Sequence, residues 1–428
     1  MSAASARVDS QRYDVLLLDA ASRQSLATAR SLGRAGLRIV MGECFAECDP
    51  RQPVPGFRSR YSSRNLVLPS FASDADAFAN AVVDFADRHP TAVVLPASDG
   101  AIAALAPVRD DLAALGARLA LPSDSALEVA AHKGRTLQVA RDLGISHPRT
   151  SHIQQLDDLP DLLSGFDFPL VLKPTSSWVR KAVTRLQAVE VMNEAEAVTV
   201  ADSFLAAGAE VLAQQLVRGR REGVTLFMVD GEARAAFAHL EHRCSPALGG
   251  ASVVRESIPL PADIYRPSVE LVSALGLQGL CEVEYRRDGD GSPLLMEINA
   301  RLAGPVETAL RAGIDFPLML WRWAVDAPVE RVSGYRTGVR MRWLRGDMRW
   351  LRDNYRRRGR PDSVTATQAV GTFLAEFVRT RHYDVLDWRD PHPFLAELRI
   401  TAASALSRSR RSPSSVSDLA RKGAARVI

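Results

Sequence analysis

Short apolar runs alternate with helical stretches along the first third of the chain, and this alternation restricts the fold more than any other feature. Helical spacing is found over residues 24–35 and 75–88. Buried strands separated by amphipathic helices are typical of a parallel sheet covered by helices. We therefore predict an α/β domain over residues 1–131. Its predicted strands are residues 13–19 (YDVLLLD), 37–42 (LRIVMG) and 91–97 (TAVVLPA).

The turn after the first strand lacks the glycine pattern of a dinucleotide site. Such a site would place G-x-G-x-x-G there, whereas this chain has D-A-A-S-R-Q-S over residues 19–25. We therefore expect a Rossmann-like architecture whose role is structural or on the substrate side.

Beyond Lys133 the pattern changes from parallel units to hairpins. Asp230-Gly231 separates two apolar stretches, and a two-residue turn of this kind joins antiparallel strands. A second hairpin pairs residues 279–286 with 293–299. Hairpins interspersed with helices predict an α+β region, so the fold class is α/β followed by α+β.

Composition narrows the class of protein. The 428 residues suffice for two or three domains of roughly 150 residues each. No apolar run approaches the ~18 residues that span a bilayer, and four cysteines in this length favour a reducing compartment. We therefore expect a cytoplasmic protein without a transmembrane segment.

The basic character of the chain is concentrated at one end. The net charge is +4, but residues 407–428 contain five arginines, one lysine and one aspartate, a charge of +5. The rest of the chain therefore carries −1, which argues against nucleic acid as a partner. We predict a disordered basic tail over residues 405–428.

Lysine is rare in this chain, which makes each lysine informative. Only four of the 54 basic residues are lysine, and Lys133 and Lys173 lie in the predicted folded region. Lysine is a compact point charge suited to phosphate. Lys173 ends an apolar strand before Thr175-Ser176-Ser177, a plausible phosphate-binding loop, and Lys133 precedes a helix N-terminus, where anions are favoured. The alternative for Lys173 is a strand-end lysine that faces solvent.

The second hairpin carries oxygen ligands on one face. Alternation places Glu282 and Glu284 together on one strand, and Glu297, Asn299 and Arg301 together on the other. Carboxylate and amide oxygens suit Mg²⁺ that bridges phosphate oxygens. The alternative is a half-exposed polar face without a ligand.

Five segments in order resemble the ATP-grasp superfamily over about residues 13–325. The resemblance is nearest to the carbamoyl-phosphate-synthase-like and D-aspartate-ligase-like carboxylate–amine ligases. It implies a Rossmann-like pre-ATP-grasp domain (1–131) before a two-lobed ATP-grasp domain (132–335), with lobes over 132–215 and 216–335. The segments are H-K-G-R-T, F-P-L-V-L-K-P, L-A-Q-Q-L-V-R-G-R-R-E-G, C-E-V-E-Y and L-M-E-I-N-A-R-L-A-G.

The resemblance implies roles for individual residues. Glu284, Glu297 and Asn299 would hold one or two Mg²⁺ ions, with Mn²⁺ as an alternative, and Arg301 would act as the catalytic residue at the transferred phosphoryl group. The residues implied for ATP are Lys133 and Lys173 with Ser176 and Ser177 at the phosphates, Gln214, Gln215, Leu216 and Val217 at the adenine, and Glu222 at the ribose.

Two further segments have weaker assignments. Arg243, Ser252 and Arg255 lie in a glycine-containing basic segment that would border the carboxylate substrate, although a surface loop is the alternative. An extension over residues 336–404 follows, with nine arginines between 340 and 360. We predict that its tryptophans pack inward and its arginines are solvated, rather than that it binds nucleic acid or an anionic membrane.

Together these features predict an ATP-dependent carboxylate–amine ligase that forms an acyl-phosphate and releases ADP. Its partners would be a small carboxylate and an amine or ammonia, and a homodimer is one possible assembly. The alternatives are an ATP-grasp kinase, a bicarbonate-activating carboxylase, and a non-catalytic ATP-binding module.

Overall fold

The computed structural model describes residues 12–44, 53–176, 178, 186–246, 249–356 and 363–409. They form three sheets surrounded by helices. Short 3₁₀ turns connect some elements, at Gly56–Arg58, Ala106–Val108 and Leu156–Asp158.

The N-terminal sheet is parallel, as the alternating pattern predicted. Its five strands lie in the order β3-β2-β1-β4-β5. Hydroxyl and carboxylate side chains cap its helices: Ser22 accepts from the Ser25 amide at the start of α1, and Asp74 accepts from Ala77 at the start of α2. The elements are β1 (Tyr13–Leu17), α1 (Arg23–Arg34), β2 (Ile39–Cys44), β3 (Ser62–Leu68), α2 (Ala75–Arg88), β4 (Thr91–Leu95), α3 (Asp99–Leu105), α4 (Arg109–Ala114) and β5 (Arg118–Leu119).

A four-stranded antiparallel sheet follows, in the order β6-β9-β7-β8. Helix α6 begins at Lys133, and the Lys133 amide donates to the Thr175 carbonyl at the end of β7. The elements of this region are α5 (Asp124–Ala130), α6 (Lys133–Asp142), β6 (Thr150–Ile153), α7 (Leu159–Leu163), β7 (Leu170–Pro174), β8 (Val189–Val191), α8 (Glu194–Ala206) and β9 (Val211–Gln215).

The third sheet has seven strands in the order β14-β13-β10-β11-β12-β15-β16. Both predicted hairpins are present, β10–β11 around Asp230-Gly231 and β13–β14. The elements are β10 (Arg221–Val229), β11 (Glu232–Ser245), β12 (Ala251–Ile258), α9 (Ala262–Ala274), β13 (Gly279–Arg287), β14 (Pro293–Asn299), α10 (Val306–Ala312), α11 (Phe316–Ala324), β15 (Arg340–Arg342), α12 (Leu344–Arg356), α13 (Ala366–Arg379), β16 (His382–Tyr383) and α14 (His392–Ser409).

The N-terminal sheet and the seven-stranded sheet share a core. One apolar cluster joins Val15 and Val93 of the parallel sheet to Phe237 of β11 and Phe316 of α11. The shared cluster places the first helix, α1, next to α10 and α11 rather than in a separate body.

The C-terminal extension contributes the last two strands of the seven-stranded sheet. Strand β15 pairs antiparallel with β12, and β16 pairs parallel with β15. The predicted tail boundary moves, because α14 continues to Ser409; residues 410–428 lie outside the described residues.

The tryptophans and arginines of the extension follow the prediction only in part. Trp350 packs inward against Val253 and Val254. Arg342, however, is fully buried, pairs with Asp347 at 2.8 Å and lies over the ring of Phe377. A buried guanidinium is tolerated here because a carboxylate and aromatic faces replace water.

Candidate functional site

A cleft of about 370 Å³ lies between the four-stranded and seven-stranded sheets. Residues of β7 and β9 line one wall, and residues of β10, β13 and β14 line the other. The loop after β14, the start of α1, Trp343 and Arg349 of the extension, residues 186–188 and the connection between β11 and β12 also line it. The cleft therefore combines residues from distant parts of the sequence.

Acidic side chains of the β13–β14 hairpin are concentrated on the cleft wall. Glu284 lies directly opposite Glu297, and Glu282 lies opposite Asn299. All four residues line the cleft, as the alternation along the hairpin predicted. Like charges directly opposite each other are destabilising in a sheet, so this hairpin needs compensating cations.

The pKa values of these carboxyl groups show that nearby cations compensate their negative charge only in part. Burial, reinforced by Glu297, raises the pKa of Glu284 to about 7. Burial and the neighbouring Glu284 also raise the pKa of Glu282. The pKa of Glu297 moves the other way: burial opposes ionisation, but the ammonium groups of Lys133 and Lys173 favour the carboxylate and lower its pKa.

Both predicted lysines lie at this cleft. The Lys133 Nζ is 3.6 Å from Glu297 Oε2. Lys173 is only 6% exposed at the end of β7. Burial, together with the charge of Lys133, lowers the pKa of Lys173 to about 8. The charges of the two lysines therefore oppose each other at this cleft, and an anion such as a triphosphate would stabilise both.

Arg221 of β10 is a central residue that the sequence did not single out. It lies 3.2 Å from Glu284 and 3.0 Å from Glu241. A Cβ on Gly223, two residues along, would lie 2.2 Å from the His239 ring, so the glycine makes room for a buried histidine beside these carboxylates.

Two polar neighbours hold Arg301 in place. Its guanidinium pairs with Asp99 at the start of α3 and donates to Asn299 Oδ1 at 3.0 Å. The Asn299 Nδ2 donates in turn to Glu284 Oε1 at 3.0 Å. Although burial opposes the charge, Asp99 stabilises it and the pKa of Arg301 is raised, so this residue is a permanent cation at the acidic hairpin.

The segment implied for adenine lines the other end of the cleft. Gln214, Gln215, Leu216 and Val217 are all on its surface. The buried Gln214 amide donates to Thr150 Oγ1 at 2.9 Å, whereas Gln215 is exposed.

Two of the implied nucleotide residues do not line this cleft. Glu222 lies on the other side of β10 from Arg221, where Arg287 and Arg220 pair with its carboxylate at 2.8 and 3.1 Å. Ser176 lines a neighbouring cavity instead. Ser177 lies outside the described residues.

The structure also does not bring Arg243, Ser252 and Arg255 to the cleft. Arg255 is fully buried, donates to Thr308 Oγ1 and pairs with Asp384. The Arg243 guanidinium contacts acidic residues of the extension, and Ser252 is buried. Carboxylates of the chain hold both arginines in this arrangement. Their role at a carboxylate substrate stays a prediction that the cleft does not support.

The end of the cleft near α1 is formed by residues that the sequence did not indicate. Arg23 and Gln24 of α1 lie there with Trp343 and Arg349 of the extension. Their positions in the sequence offered no signal, because the first and last parts of the chain meet only in the folded protein.

A second cavity of about 370 Å³ adjoins the cleft and has a largely apolar lining, including Ile102, Leu127 and Trp178. It shares four polar residues with the cleft: Lys133, Glu297, Asn299 and Arg301.

The donor set fits a magnesium–nucleotide complex better than a free-standing metal centre. Within the described ranges, no three His, Cys, Asp or Glu side chains are grouped as a metal site. Mg²⁺ usually takes one or two carboxylates and completes its shell with water and phosphate oxygens. Glu284, Glu297 and Asn299 could supply that partial set, and the raised pKa of Glu284 indicates a carboxylate short of positive charge.

Comparison with known proteins gives a family match over part of the chain. The family model described as "ATP-grasp in the biosynthetic pathway with Ter operon" matches residues 251–346. Comparison with curated proteins finds no match to this sequence. Among the described helices, none is both long and apolar enough to cross a membrane.

Solved structures match over about three quarters of the chain. An L-amino acid ligase from Bacillus licheniformis is 20% identical with a TM-score of 0.56, over 75% of this chain and 76% of that chain. The biotin carboxylase of Campylobacter jejuni, in complex with β,γ-ATP, is 14% identical with a TM-score of 0.58, over 77% and 74%.

A third match is the biotin carboxylase domain dimer of the Hydrogenobacter thermophilus 2-oxoglutarate carboxylase. Its complex holds MgADP, ADP and bicarbonate. It is 15% identical with a TM-score of 0.58, over 77% of this chain and 74% of that chain. At such identities these likenesses establish the fold.

Proposed function

Because this chain has the ATP-grasp fold and resembles that superfamily in sequence, we propose that it is an ATP-dependent carboxylate–amine ligase. The reaction joins a carboxylate to an amine or ammonia through an acyl-phosphate, and it releases ADP and phosphate. One observation carries the proposal: two lysines, an acidic hairpin and an arginine held by Asp99 converge on one cleft, where burial lowers the pKa of Lys173 and raises that of Glu284.

Each group of cleft residues has a separate role in this reaction. Lys133 and Lys173 bind the phosphates, and residues 214–217 contact the base. Glu284, Glu297 and Asn299 hold one or two Mg²⁺ ions. Bound Mg²⁺ neutralises phosphate charge and orients the transferred group. Asp99 fixes Arg301 beside the hairpin, where the guanidinium stabilises negative charge that develops on the acyl group.

The proposal is tested by measuring Mg²⁺-dependent ADP formation with pooled small carboxylates and amino acids, with and without an amine. Hydroxylamine added in place of the amine converts an acyl-phosphate to a hydroxamate, which mass spectrometry detects. We expect ADP, phosphate and an amide product in equal amounts. Reactions without Mg²⁺ or without a carboxylate serve as controls.

Other outcomes would support the alternatives. Stoichiometric acyl-phosphate without amine consumption would indicate a kinase, and ADP formation that depends on bicarbonate alone would indicate a carboxylase. Nucleotide binding without ADP formation under any combination would contradict the ligase proposal and favour a binding module.

A further inference from the structure

Helix α12 of the C-terminal extension places Arg349 at the end of the cleft. A series of neighbouring side chains connects Arg349 to the loop that carries Arg301. A Cβ on Gly304 would lie 3.7 Å from the Arg23 guanidinium, which lies 4.2 Å over the Trp343 ring. The Arg349 guanidinium lies 5.5 Å from the centroid of the same Trp343 ring.

The charges at this end do not cancel. Asp384 pairs with Arg23 at 2.6 Å but also holds Arg255. The carboxylate of Glu397 accepts a hydrogen bond from the Trp343 indole at 2.7 Å. Within the part of the chain that the structure describes, no carboxylate forms an ion pair with Arg349.

The surroundings of Arg349 make its charge costly. The side chain is half-buried, and burial, with the neighbouring Arg345 and Arg352, lowers its pKa to about 10; the charges of Glu397 and Asp353 offset only part of this lowering. The same helix offers a contrast, because Arg352 has an ion-pair partner in Asp353 at 2.9 Å. A half-buried guanidinium that faces a cleft and lacks such a partner is suited to an anionic ligand.

We propose that the acid substrate carries two carboxylates. The carboxylate that reacts lies at Arg301, and Arg349 binds the other, which does not react. The inference rests on the proposed ligase function and assigns the substrate class: dicarboxylic acids, acidic amino acids included, rather than simple monocarboxylic acids. A planar carboxylate matches the two-pronged geometry of one guanidinium.

The test is calorimetric binding of two length-matched series in the presence of Mg-ADP. One series is malonate, succinate, glutarate and adipate; the other is propionate, butyrate, valerate and hexanoate. We expect wild type to bind at least one dicarboxylate about tenfold or more tightly than its monocarboxylate partner, since a hydrogen bond to a charged group is lost in the latter.

Arg349→Gln should abolish that preference and leave Mg-ADP affinity unchanged, which also reports that the variant is folded. Arg349→Lys should retain part of the preference. Arg352→Gln is the matched control and should behave as wild type. Equal binding of both series by wild type, a preference that survives in Arg349→Gln, or an equal loss in Arg352→Gln would overturn the inference.

The two proposals fail separately. ADP formation without any dicarboxylate preference would leave the ligase proposal intact and overturn the role of Arg349. A preference that depends on Arg349, with no ADP formed from any substrate, would support the binding site and contradict the ligase proposal.

Discussion

The molecule contains two buried groups of charges that differ in how far the chain's own cations and carboxylates compensate each other. The cleft group comprises Lys173, Glu282, Glu284 and Glu297. The junction group joins α1 and β12 to the C-terminal extension and comprises Arg23, Arg30, Arg255, Asp384 and Asp390. In the junction group, Arg30 pairs with Asp390 at 3.0 Å and also donates to carbonyls of residues 384, 385 and 390.

The difference appears in the direction of the pKa shifts. Burial alone would raise the pKa of Asp384, but Arg255 and Arg23 lower it to about 2. In the cleft, burial dominates at two groups, so the pKa of Glu284 rises to about 7 and that of Lys173 falls to about 8, whereas the two lysines lower the pKa of Glu297 against the effect of burial. Burial of charge therefore does not by itself mark a ligand site; buried charge that the protein leaves uncompensated does.

The largest expected effect is on the junction group. Asp384→Asn leaves Arg255 and Arg23 buried without a counter-charge, so the free energy of unfolding should fall by about 3 to 5 kcal/mol. Urea denaturation measures it. Asp326→Asn is the control, because its ion pair with Arg118 is exposed and should contribute less than about 1 kcal/mol. Similar stability for both variants would show that the junction charges are not coupled.

The second-largest effect is expected at the β13–β14 hairpin of the cleft. Glu297→Gln removes one charge from the proposed metal site with little change of shape, so turnover should fall about 100- to 1000-fold, while nucleotide binding weakens less. Mg²⁺-dependent ADP formation and calorimetry on the same preparation measure both. Glu232→Gln, at an exposed position remote from the cleft, is the control. Unchanged turnover in Glu297→Gln would contradict the metal assignment.

The third prediction separates stability from function at Lys173. Lys173→Met keeps the apolar stem but removes a charge whose burial is unfavourable. In nucleotide-free protein the free energy of unfolding should rise by about 1 to 3 kcal/mol, and ATP affinity should fall. A variant that is less stable than wild type and binds ATP equally well would show that the lysine is structural.

The smallest expected effect is the pH dependence of the difference in stability between wild type and Lys173→Met. The folded-state pKa of Lys173 is about 8, below its usual 10.5, so between these values the unfolded chain binds more protons. Wild-type stability should therefore rise with pH in this window relative to Lys173→Met, and the gap between them should narrow. Denaturation of metal-free protein at pH 7.5 and 9.5 measures it; a constant gap would contradict the shifted pKa.

Local patterns were enough to predict much of the fold. Helix α2 matches residues 75–88, and both hairpins form where turn residues interrupt apolar strands. Strand β3 was missed because it lies at the sheet edge, where its polar residues are largely exposed. The short strand β15 was missed because its arginines suggested a solvated segment, whereas Arg342 is buried by aromatic rings and Asp347.

The site was predictable where it lies within one hairpin and not where it depends on distant partners. Alternation alone grouped Glu284 with Glu297 and Asn299. The partner of Arg301, Asp99, is 202 positions away in sequence. Arg255 looked available for substrate because its partner, Asp384, is 129 positions away. Whether an arginine faces a ligand or a carboxylate of its own chain is decided by tertiary contacts.

The junction between the first helix and the last elements has a consequence for synthesis. Arg23 and Asp384 are separated by 361 positions, and Arg30 and Asp390 by 360. At ribosomal rates of about 5 to 20 residues per second, the carboxylates follow the arginines by roughly 20 to 70 s. Helix α1 therefore acquires these partners only after about 360 further residues have been synthesised. A chain that is released before Asp384 leaves Arg23 and Arg30 without their counter-charges. Cellular quality control could therefore detect the defect at α1, far in sequence from the truncation.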